Sequence, residues 1–360
     1  MPNNGRRPRI LFLSHSHVFG PFRVGSHHYA RTLARSGADV VHLSTPISLA
    51  HRVTRRVSRA ASSAVPRRPF VDADGVTHVV PRTVLPRPLG RFRVARELEH
   101  QHIRTDFDTV LIDQPLLWDD TVRTLGRRLV YRPTDLYPHG VKYRTQRQIV
   151  ATADGVIATS SEVLKGIGSI SIPALILENG VDASRFASES TNSRPAICVY
   201  VGALDGRVDW QQVDAWARAP PAVRFVIAGP VAPSAAPVAD NVELIGPVPY
   251  DALPDLLTGA QVGLIPLSED PLNSGRSPMK LHEYLAAGLA VVASATPVIQ
   301  HDASSGLFTY RGRAEAEAAL QRALALDSPN TAGARRAMAE SWEAKTDVLS
   351  SFVRKLRPFI

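Results

Sequence analysis

Residues 273–293 read NSGRSPMKLHEYLAAGLAVVA, and this stretch decides the fold. A polar loop leads into an apolar, alanine-rich helix, Gly288 ends that helix, and residues 290–293 are typical of a buried strand. Another apolar run, at residues 262–266, precedes the loop and indicates a further strand. Strand, helix and strand in this order form the repeating unit of parallel sheets, so we expect a parallel sheet around this segment.

The start of this helix predicts an anion site. Ser277 suits the N-cap and Pro278 the first helical position. The unpaired N–H groups and the positive end of such a helix attract phosphate. Lys280 then lies in the first turn, where a cation is unfavourable without an anionic ligand, and Glu283 follows on the same face, where it can accept hydrogen bonds from ribose hydroxyls. The alternative is an ordinary surface pair of Lys280 with Glu283.

The same alternation of strands and helices runs through the chain in two blocks separated by the polar stretch 189–195. In the first block we predict strands at 9–13, 39–43, 76–80, 109–112, 129–131, 155–158 and 174–177, with helices at 25–36, 91–103, 141–152 and 161–166. In the second block we predict strands at 196–201, 223–228, 242–245, 262–266 and 290–293, with helices at 210–218, 250–257, 278–287 and 341–356. This pattern predicts two Rossmann-like domains, whose ligands bind at the carboxyl ends of the strands.

Composition excludes several classes of protein. The chain has 360 residues, of which 44% are hydrophobic and 21% charged, which is typical of a soluble globular protein. Cys198 is the one cysteine, so no internal disulfide can form and a reducing compartment is expected. The apolar run Ile10–Leu13 is too short for a signal peptide, and no stretch is long enough for a membrane span. We therefore expect a cytoplasmic protein.

Positive charge is concentrated in the first half. The net charge is +9, and residues 1–150 hold 25 Lys and Arg against 11 Asp and Glu. No acidic residue lies between His51 and Phe70, where Arg52, Arg55, Arg56 and Arg59 stand. Apolar residues recur there at helical spacing, which favours an amphipathic contact with an anionic membrane surface over a solvated basic loop. Nucleic acid is disfavoured, because no aromatic residues separate the arginines.

The stretch 277–294, SPMKLHEYLAAGLAVVAS, resembles the donor-binding segment of two-domain GT-B glycosyltransferases, P-x-K-x-x-E-Y-x-A-x-G-x-P-V-V. Weaker resemblances to the same class lie at 25–40, 177–186, 199–204, 225–230 and 341–347. The resemblance implies an α/β GT-B fold with two Rossmann-like domains facing across a cleft. It assigns residues 1–188 to an acceptor-binding domain, 189–340 to a nucleotide-sugar-binding domain, and 341–360 to a C-terminal helix that packs back on the first domain.

One departure from the family concerns stereochemistry. Retaining members related to glycosyltransferase family 4 usually carry two glutamates separated by seven residues, and counting back from Glu283 reaches Gly275. Met279-Lys280 instead resembles the inverting glucuronosyltransferases of xanthan-type polysaccharide assembly. The segments 206–209 and 276–280 resemble bacterial cell-wall enzymes of the teichuronic-acid type. These resemblances imply an inverting transfer of a hexosyl or uronosyl group from a UDP-sugar to a glycan or lipid-linked acceptor in cell-envelope or exopolysaccharide synthesis.

The predicted donor site needs no cofactor, because helix N–H groups and cations can stabilise a leaving diphosphate without a metal. Metal-ligand spacing of His and Cys, or a DxD-like pair after a strand of the second block, is not found in the sequence. Arg207 either contacts the diphosphate or pairs with Asp205 or Asp209. The predicted donor-binding residues are Gly25, Gly202, Arg207, Asn273, Ser274, Arg276, Ser277, Met279, Lys280 and Glu283.

An inverting transfer also needs a base that removes the proton of the acceptor hydroxyl. Asp135 follows a predicted strand and is the first candidate, with an Asx turn or helix cap as its structural alternative. Asp113, which also ends a strand, is the second candidate, with a strand-end cap before Pro115 as its structural alternative. His15 and His17 follow the first strand, and imidazole titrates in a suitable range; the alternative for each is a surface or hydrogen-bonded histidine of the loop.

Gly20 flanks the loop after the first strand, where a glycine either lets the backbone approach the acceptor or simply allows a turn. His27 and His28 lie in the first turn of the helix that follows, and we expect one of them, His27 being the candidate, to contact the acceptor or a phosphate and the other to pack structurally.

Two other functions are compatible with this sequence. One is a nucleotide-sugar epimerase on the same fold, which would need no acceptor and no basic surface. The other is a GT-B-shaped binding or scaffold subunit without catalysis, which the glycine at position 275 would suit.

We also expect a peripheral location on the inner face of the cell membrane.

Overall fold

The structure is a computed structural model that describes residues 6–20, 22–50, 65–87, 89–90, 92–187, 192–219, 222–230 and 239–357. The chain divides into two compact units, which we call the N-terminal unit (residues 1–178 and 346–360) and the C-terminal unit (residues 179–345). This division lies between Glu178 and Asn179, before the predicted boundary between residues 188 and 189.

The N-terminal unit is built on an eight-stranded sheet of order β10-β9-β8-β7-β1-β2-β5-β4. All neighbouring strands are parallel except β4 and β5. The strands are β1 (Arg9–Ser14), β2 (Asp39–Ser44), β4 (Phe70–Val71), β5 (Thr77–Val79), β7 (Phe107–Ile112), β8 (Gly126–Tyr131), β9 (Gly155–Ala158) and β10 (Ala174–Ile176), and a second, two-stranded sheet pairs β3 (Ile47–Ser48) with β6 (Arg82–Thr83). β1 is buried along its whole length, as an interior strand covered on both faces must be.

Helices of the N-terminal unit follow the strands as predicted. They are α1 (Gly25–Arg35), α2 (Val94–His100), α3 (Gly140–Thr152) and α4 (Ser161–Ile167). α1 buries Tyr29 and Leu33, which are four residues apart and therefore lie on one face of the helix. α3 buries Ile149. The carboxyl ends of β1, β7 and β8 are neighbours in this sheet, and the loops that follow them therefore lie together.

The C-terminal unit carries a six-stranded parallel sheet of order β13-β12-β11-β14-β15-β16, whose order reverses between β11 and β14. The strands are β11 (Ile197–Val201), β12 (Arg224–Ala228), β13 (Val242–Gly246), β14 (Val262–Ile265), β15 (Ala290–Ser294) and β16 (Leu307–Tyr310). Five of them were predicted and β16 was not. A ligand is expected at the reversal, beyond the carboxyl ends of β11 and β14.

The helices of this unit include three that the sequence did not reveal. They are α5 (Ala183–Phe186), α6 (Trp210–Arg218), α7 (Leu253–Thr258), α8 (Met279–Ala286), α9 (Arg313–Leu324) and α10 (Thr331–Ala339), of which α5, α9 and α10 were not predicted. The last helix, α11 (Trp342–Lys355), ends among the residues of the N-terminal unit, where Nε of Arg128 donates to the carbonyl of Leu356 (3.1 Å). Among the described residues, no helix combines the length and the apolar character needed to span a bilayer.

Candidate functional site

Two glycines stand where β11 and β12 end in the C-terminal unit. Gly202 has φ +152° and Gly229 has φ +157°, conformations that side chains disfavour. A Cβ on Gly229 would lie 1.8 Å from the carbonyl oxygen of Gly202, and a Cβ on Gly202 would lie 2.5 Å from Nζ of Lys280. The absence of side chains at both positions lets the loop after β11 approach the start of α8.

Helix α8 begins one residue later than predicted, and Ser277 does not cap it. Pro278 is the N-cap, and no side chain bonds to the helix N–H groups there. Ser277 is buried and engaged by Asn179, whose backbone N–H donates to the Ser277 hydroxyl (3.0 Å) and whose Nδ2 donates to its carbonyl (2.7 Å). The prediction of Ser277 as N-cap is therefore wrong, because a contact distant in sequence takes its hydroxyl.

Lys280 lies in the first turn of α8, as predicted, and its ammonium group stacks on an aromatic ring. Nζ is 3.9 Å from the ring centroid of Tyr200, at the end of β11. Burial, together with the positive charge of Arg276, lowers the pKa of Lys280 to about 7. The Tyr200 hydroxyl donates to the carbonyl of Ala203 (3.0 Å), which fixes the ring under the ammonium. The sequence did not identify Tyr200; its only signal is an aromatic residue two positions before Gly202.

Glu283 lies one turn further along α8 and is only 9% exposed. Burial raises the pKa of its carboxyl group to about 7, although Lys280 opposes the shift. The structure thus does not show the ordinary surface pair that we considered as the alternative. Instead, the ammonium group of Lys280 and the carboxyl group of Glu283 are both partly desolvated, and a bound ligand can therefore change the charge of either group.

The remaining predicted donor residues differ in what they contact. Arg207 is paired with Asp205 (2.7 Å), so the structure shows the ion-pair alternative for this arginine. Asn273 is buried, and its Nδ2 donates to the carbonyls of Arg207 (3.2 Å) and Ser268 (3.0 Å), so it holds the loop. Ser274 donates to the carbonyl of Pro271 (2.7 Å). Arg276 lies close enough to Lys280 to affect its pKa, while Met279 is the first residue of α8 and Gly25 is the first residue of α1, in the N-terminal unit.

In the N-terminal unit, Asp113 follows β7 and Arg132 follows β8, and their side chains form a buried ion pair. Nε and Nη2 of Arg132 donate to the two carboxylate oxygens of Asp113 at 3.0 and 2.8 Å, and each residue is 1% exposed. The Tyr29 ring lies 5.0 Å from the guanidinium carbon. Because the carboxylate is already neutralised by a buried partner, Asp113 is poorly placed to accept a proton. The structure argues against Asp113 as the base and favours a positioning role.

His15 directly follows β1 and Asp135 lies in the loop after β8, two strands that have β7 between them in the sheet. Asp135 is partly exposed and accepts a hydrogen bond from the Thr134 hydroxyl (3.3 Å). Burial lowers the pKa of His15, and the negative charges of Asp113 and Asp135 partly offset that effect. The charge of Asp135 therefore acts on His15.

The other predicted residues of the N-terminal unit have structural contacts. Burial lowers the pKa of His17, whose carbonyl accepts the N–H of Gly20 (3.2 Å) in a turn. Nδ1 of His27 accepts the N–H of Val24 (3.2 Å), and its Nε2 lies 3.1 Å from the carbonyl of Ser16. Since both ring nitrogens are used, the structure argues against acceptor contact by His27. The predicted membrane residues Arg52, Arg55, Arg56 and Arg59 lie outside the described residues.

A cluster of buried histidines lies beside these loops, and the sequence did not predict it. His42 of β2 is aligned with His78 of β5, and their ring centroids are 5.6 Å apart. The ring of His27 lies 4.7 Å from that of His42, whose Nε2 is 3.1 Å from the Ser26 hydroxyl. Burial lowers the pKa of all three imidazoles, well below the usual range for His27 and His42.

The histidine cluster should make the protein less stable in mild acid. An unfolded histidine titrates near 6.5, so below that pH the unfolded chain binds protons that the buried imidazoles do not. For each pH unit of acidification below that value, each such histidine should lower the free energy of unfolding by about 1.4 kcal/mol. Urea unfolding of His42→Gln, whose amide can still bond Ser26, tests this effect. Between about pH 6.5 and 5, the free energy of unfolding of the variant should fall by about 1.4 kcal/mol less per pH unit than that of wild type, because one histidine no longer titrates.

The matched control for that measurement is His139→Gln, at an exposed position before α3. It should leave the pH dependence of the wild-type protein unchanged. An identical slope in His42→Gln and wild type would show that His42 is protonated in the folded protein.

Comparison with known proteins supports the assignment of fold. Residues 195–326 match the family model described as "Glycosyl transferases group 1". Similar solved structures include sucrose-phosphate synthase from Thermosynechococcus elongatus, with 16% identity, TM-score 0.70, and coverage of 97% of this chain and 99% of that chain. Another is Anabaena HepE in complex with UDP and glucose, with 16% identity, TM-score 0.66, and coverage of 97% and 100%. AviGT4, a glycosyltransferase involved in avilamycin A biosynthesis, has 16% identity, TM-score 0.66, and 97% coverage of each chain.

No curated protein sequence matches the chain significantly. The predicted α/β GT-B fold, with two Rossmann-like domains built on parallel sheets, is confirmed. The family match covers the C-terminal sheet and α8, the part of the chain that carries Lys280 and Glu283. This match and the GT-B fold together support glycosyltransferase activity.

Proposed function

We propose that this chain transfers a sugar from a UDP-sugar to a glycan or lipid-linked acceptor in cell-envelope or exopolysaccharide synthesis. The observation that carries the proposal is Lys280, a cation held on the Tyr200 ring in the first turn of α8, where unpaired helix N–H groups also favour an anion. Glu283 on the same helix accepts hydrogen bonds from the hydroxyl groups of the ribose. HepE, which shares the fold, was solved with UDP and glucose, and this supports the choice of nucleotide.

The proposed chemistry is direct displacement with inversion at the anomeric carbon. Asp135 takes the proton of the acceptor hydroxyl, the acceptor oxygen bonds to the sugar, and the bond to the UDP oxygen breaks. The charge that develops on the diphosphate is stabilised by the ammonium of Lys280 and the N–H groups of α8. Gly275, buried at the end of a 3-10 turn, offers no carboxylate to a retaining mechanism. His15 is the alternative base.

We further propose that the transfer is independent of a metal ion. Within the described ranges, no three His, Cys, Asp or Glu side chains are grouped so that they could hold one. A cytoplasmic enzyme that works at the inner face of the cell membrane fits the lipid-linked acceptor.

The test is a panel of UDP-, GDP- and TDP-sugars incubated with the purified protein, with the products identified by mass spectrometry. Slow transfer to water should release UDP from one or a few UDP-sugars, and added chelator should not change the rate. An isomerised nucleotide sugar without release would indicate an epimerase instead. Binding of UDP without turnover of any donor or acceptor would indicate a scaffold subunit.

A further inference from the structure

A cavity lined by arginines lies at the amino ends of neighbouring strands in the N-terminal unit. Its volume is about 380 Å³, and four of the residues that line it are Arg6, Arg7, Arg9 and Arg104. Arg9 is the first residue of β1, and Asp39, the first residue of β2, is the one acidic residue in the described part of the lining. The candidates for the base follow the carboxyl ends of the strands, so this cavity lies at the opposite edge of the sheet.

Arg9 forms a fixed part of the cavity wall, because its charged side chain is buried. The residue is 9% exposed, and its guanidinium carbon lies 4.8 Å from the ring centroid of Phe107. Nε donates to a carboxylate oxygen of Asp39 (2.7 Å), while Nη1 donates to Asp106 and to the carbonyl of Arg104 (3.2 Å). A buried guanidinium held by several partners loses little freedom when a ligand binds beside it.

Asp106, directly before β7, is the shared partner of three of these arginines. Besides the bond from Arg9, it accepts Nη2 of Arg6 (2.7 Å) and Nη2 of Arg104 (2.5 Å). The hydrogen bond from Arg104, supported by Arg6 and the charge of Arg9, holds the pKa of this carboxyl group well below its usual range. Asp106 is therefore ionised near neutral pH, and one carboxylate serves three guanidinium groups.

The cavity keeps a surplus of positive charge. Four guanidinium groups line it, and within the described part of the chain their ion pairs involve two carboxylates, those of Asp39 and Asp106. Arg7 is exposed and forms no ion pair with any described residue. Even when Asp108 is counted, which accepts the backbone N–H of Arg9 (2.9 Å), one positive charge remains without a counter-charge.

We propose that this cavity binds the phosphate group of a small phosphorylated molecule, in the unit that does not carry Lys280. Guanidinium groups suit phosphate because two of their N–H groups can bind two of its oxygens at once. A cavity lined by charges of one sign attracts ligands of the opposite sign. Four arginines around a single cavity fit a compact ligand, whereas a nucleic acid is bound by a basic stripe. The proposal does not depend on the proposed function.

Thermal unfolding of the Lys280→Met protein tests the proposal, because this variant lacks the ammonium group of the proposed donor site. The probes are inorganic phosphate and glucose 6-phosphate, each compared with sodium chloride at the same ionic strength. At about 10 mM, the better probe should raise Tm by about 2–4 °C above the chloride reference. A larger rise with glucose 6-phosphate would identify the ligand as a phosphate ester, and equal rises would identify the phosphate group alone as the feature recognised.

Variants in the same Lys280→Met background locate the binding. Arg7→Gln/Arg104→Gln removes two charges at exposed positions of the lining and should abolish the rise in Tm. Arg7→Gln alone breaks no ion pair with a described residue, so it separates ligand binding from folding and should already reduce the rise. The matched control is Arg335→Gln/Arg354→Gln, which removes two exposed arginines of α10 and α11 and should leave the rise unchanged.

Three results would overturn the inference. The first is that neither probe raises Tm above the chloride reference. The second is an undiminished rise in Arg7→Gln/Arg104→Gln. The third is an equal loss in Arg335→Gln/Arg354→Gln, which would show attraction by net charge without a site. Because UDP binding is measured separately, a failure of the proposed donor site would leave each of these results unaffected.

Discussion

Lys280→Met should weaken UDP binding roughly 100- to 1,000-fold at about pH 6.5, a loss of about 3–4 kcal/mol. The ammonium is held 3.9 Å from the Tyr200 ring centroid at the start of α8, and methionine keeps the length of the side chain without its charge. Since burial and Arg276 lower the pKa of Lys280 to about 7, wild-type affinity should fall about tenfold per pH unit above that value. Isothermal titration calorimetry over a pH series measures both effects, and the variant should lose this pH dependence.

The same substitution should stabilise the protein without ligand. In the unfolded chain Lys280 titrates near 10.5, so between about pH 7 and 10.5 only the unfolded state holds the extra proton, and wild-type stability rises with pH. Methionine removes this dependence and the unfavourable burial of an ammonium group. A higher free energy of unfolding together with lost UDP affinity would therefore exclude misfolding as the cause.

The control for both measurements is Lys165→Met, at a lysine of α4 whose side chain is 72% exposed and paired with Glu162. It should bind UDP as wild type does. Undiminished affinity in Lys280→Met would remove the basis of the proposed donor site.

Much of the fold could be predicted because the inner strands of both sheets are parallel and buried. Strands in such sheets are continuous apolar runs, and β1 and β9 appear in the sequence as such runs with nearly the observed bounds. β16 was missed because LFTY is short and contains a polar residue, and the pattern of the alanine-rich helix α9 is weak. Periodicity identifies elements with one strong face and overlooks those whose apolar side chains are small.

The site could be predicted only in part, for a different reason. The position of Lys280 in the first turn of α8 depends on local sequence, and that prediction agrees with the structure. The hydroxyl of Ser277 is bonded by Asn179, and the ammonium of Lys280 lies on Tyr200, 80 residues earlier in the chain. Contacts of this kind depend on how loops from separate strands meet, which the sequence does not encode locally.

Asp135→Asn should lower the rate of sugar transfer by about 10²- to 10⁴-fold while UDP affinity stays unchanged. The amide has nearly the shape of the carboxylate but cannot take the proton of the acceptor hydroxyl. Rates with and without acceptor, measured with the donor that the panel identifies, test this. Asp120→Asn, at an exposed aspartate of the same unit, is the control and should transfer at the wild-type rate.

The geometry gives a reason to expect this result from Asp135 and not from Asp113. Both oxygens of Asp113 are occupied by Arg132, and its protonation would leave a buried guanidinium without its counter-charge. Asp135 is partly exposed, so an acceptor can reach it. If His15→Gln shows the same fall of the rate at low pH as wild type, the base that is protonated there is not His15, and this result would agree with Asp135 as the base. If Asp135→Asn instead transfers at full rate and His15→Gln does not, the imidazole of His15 takes the proton. The negative charges of Asp113 and Asp135 act on this imidazole and favour its protonated form.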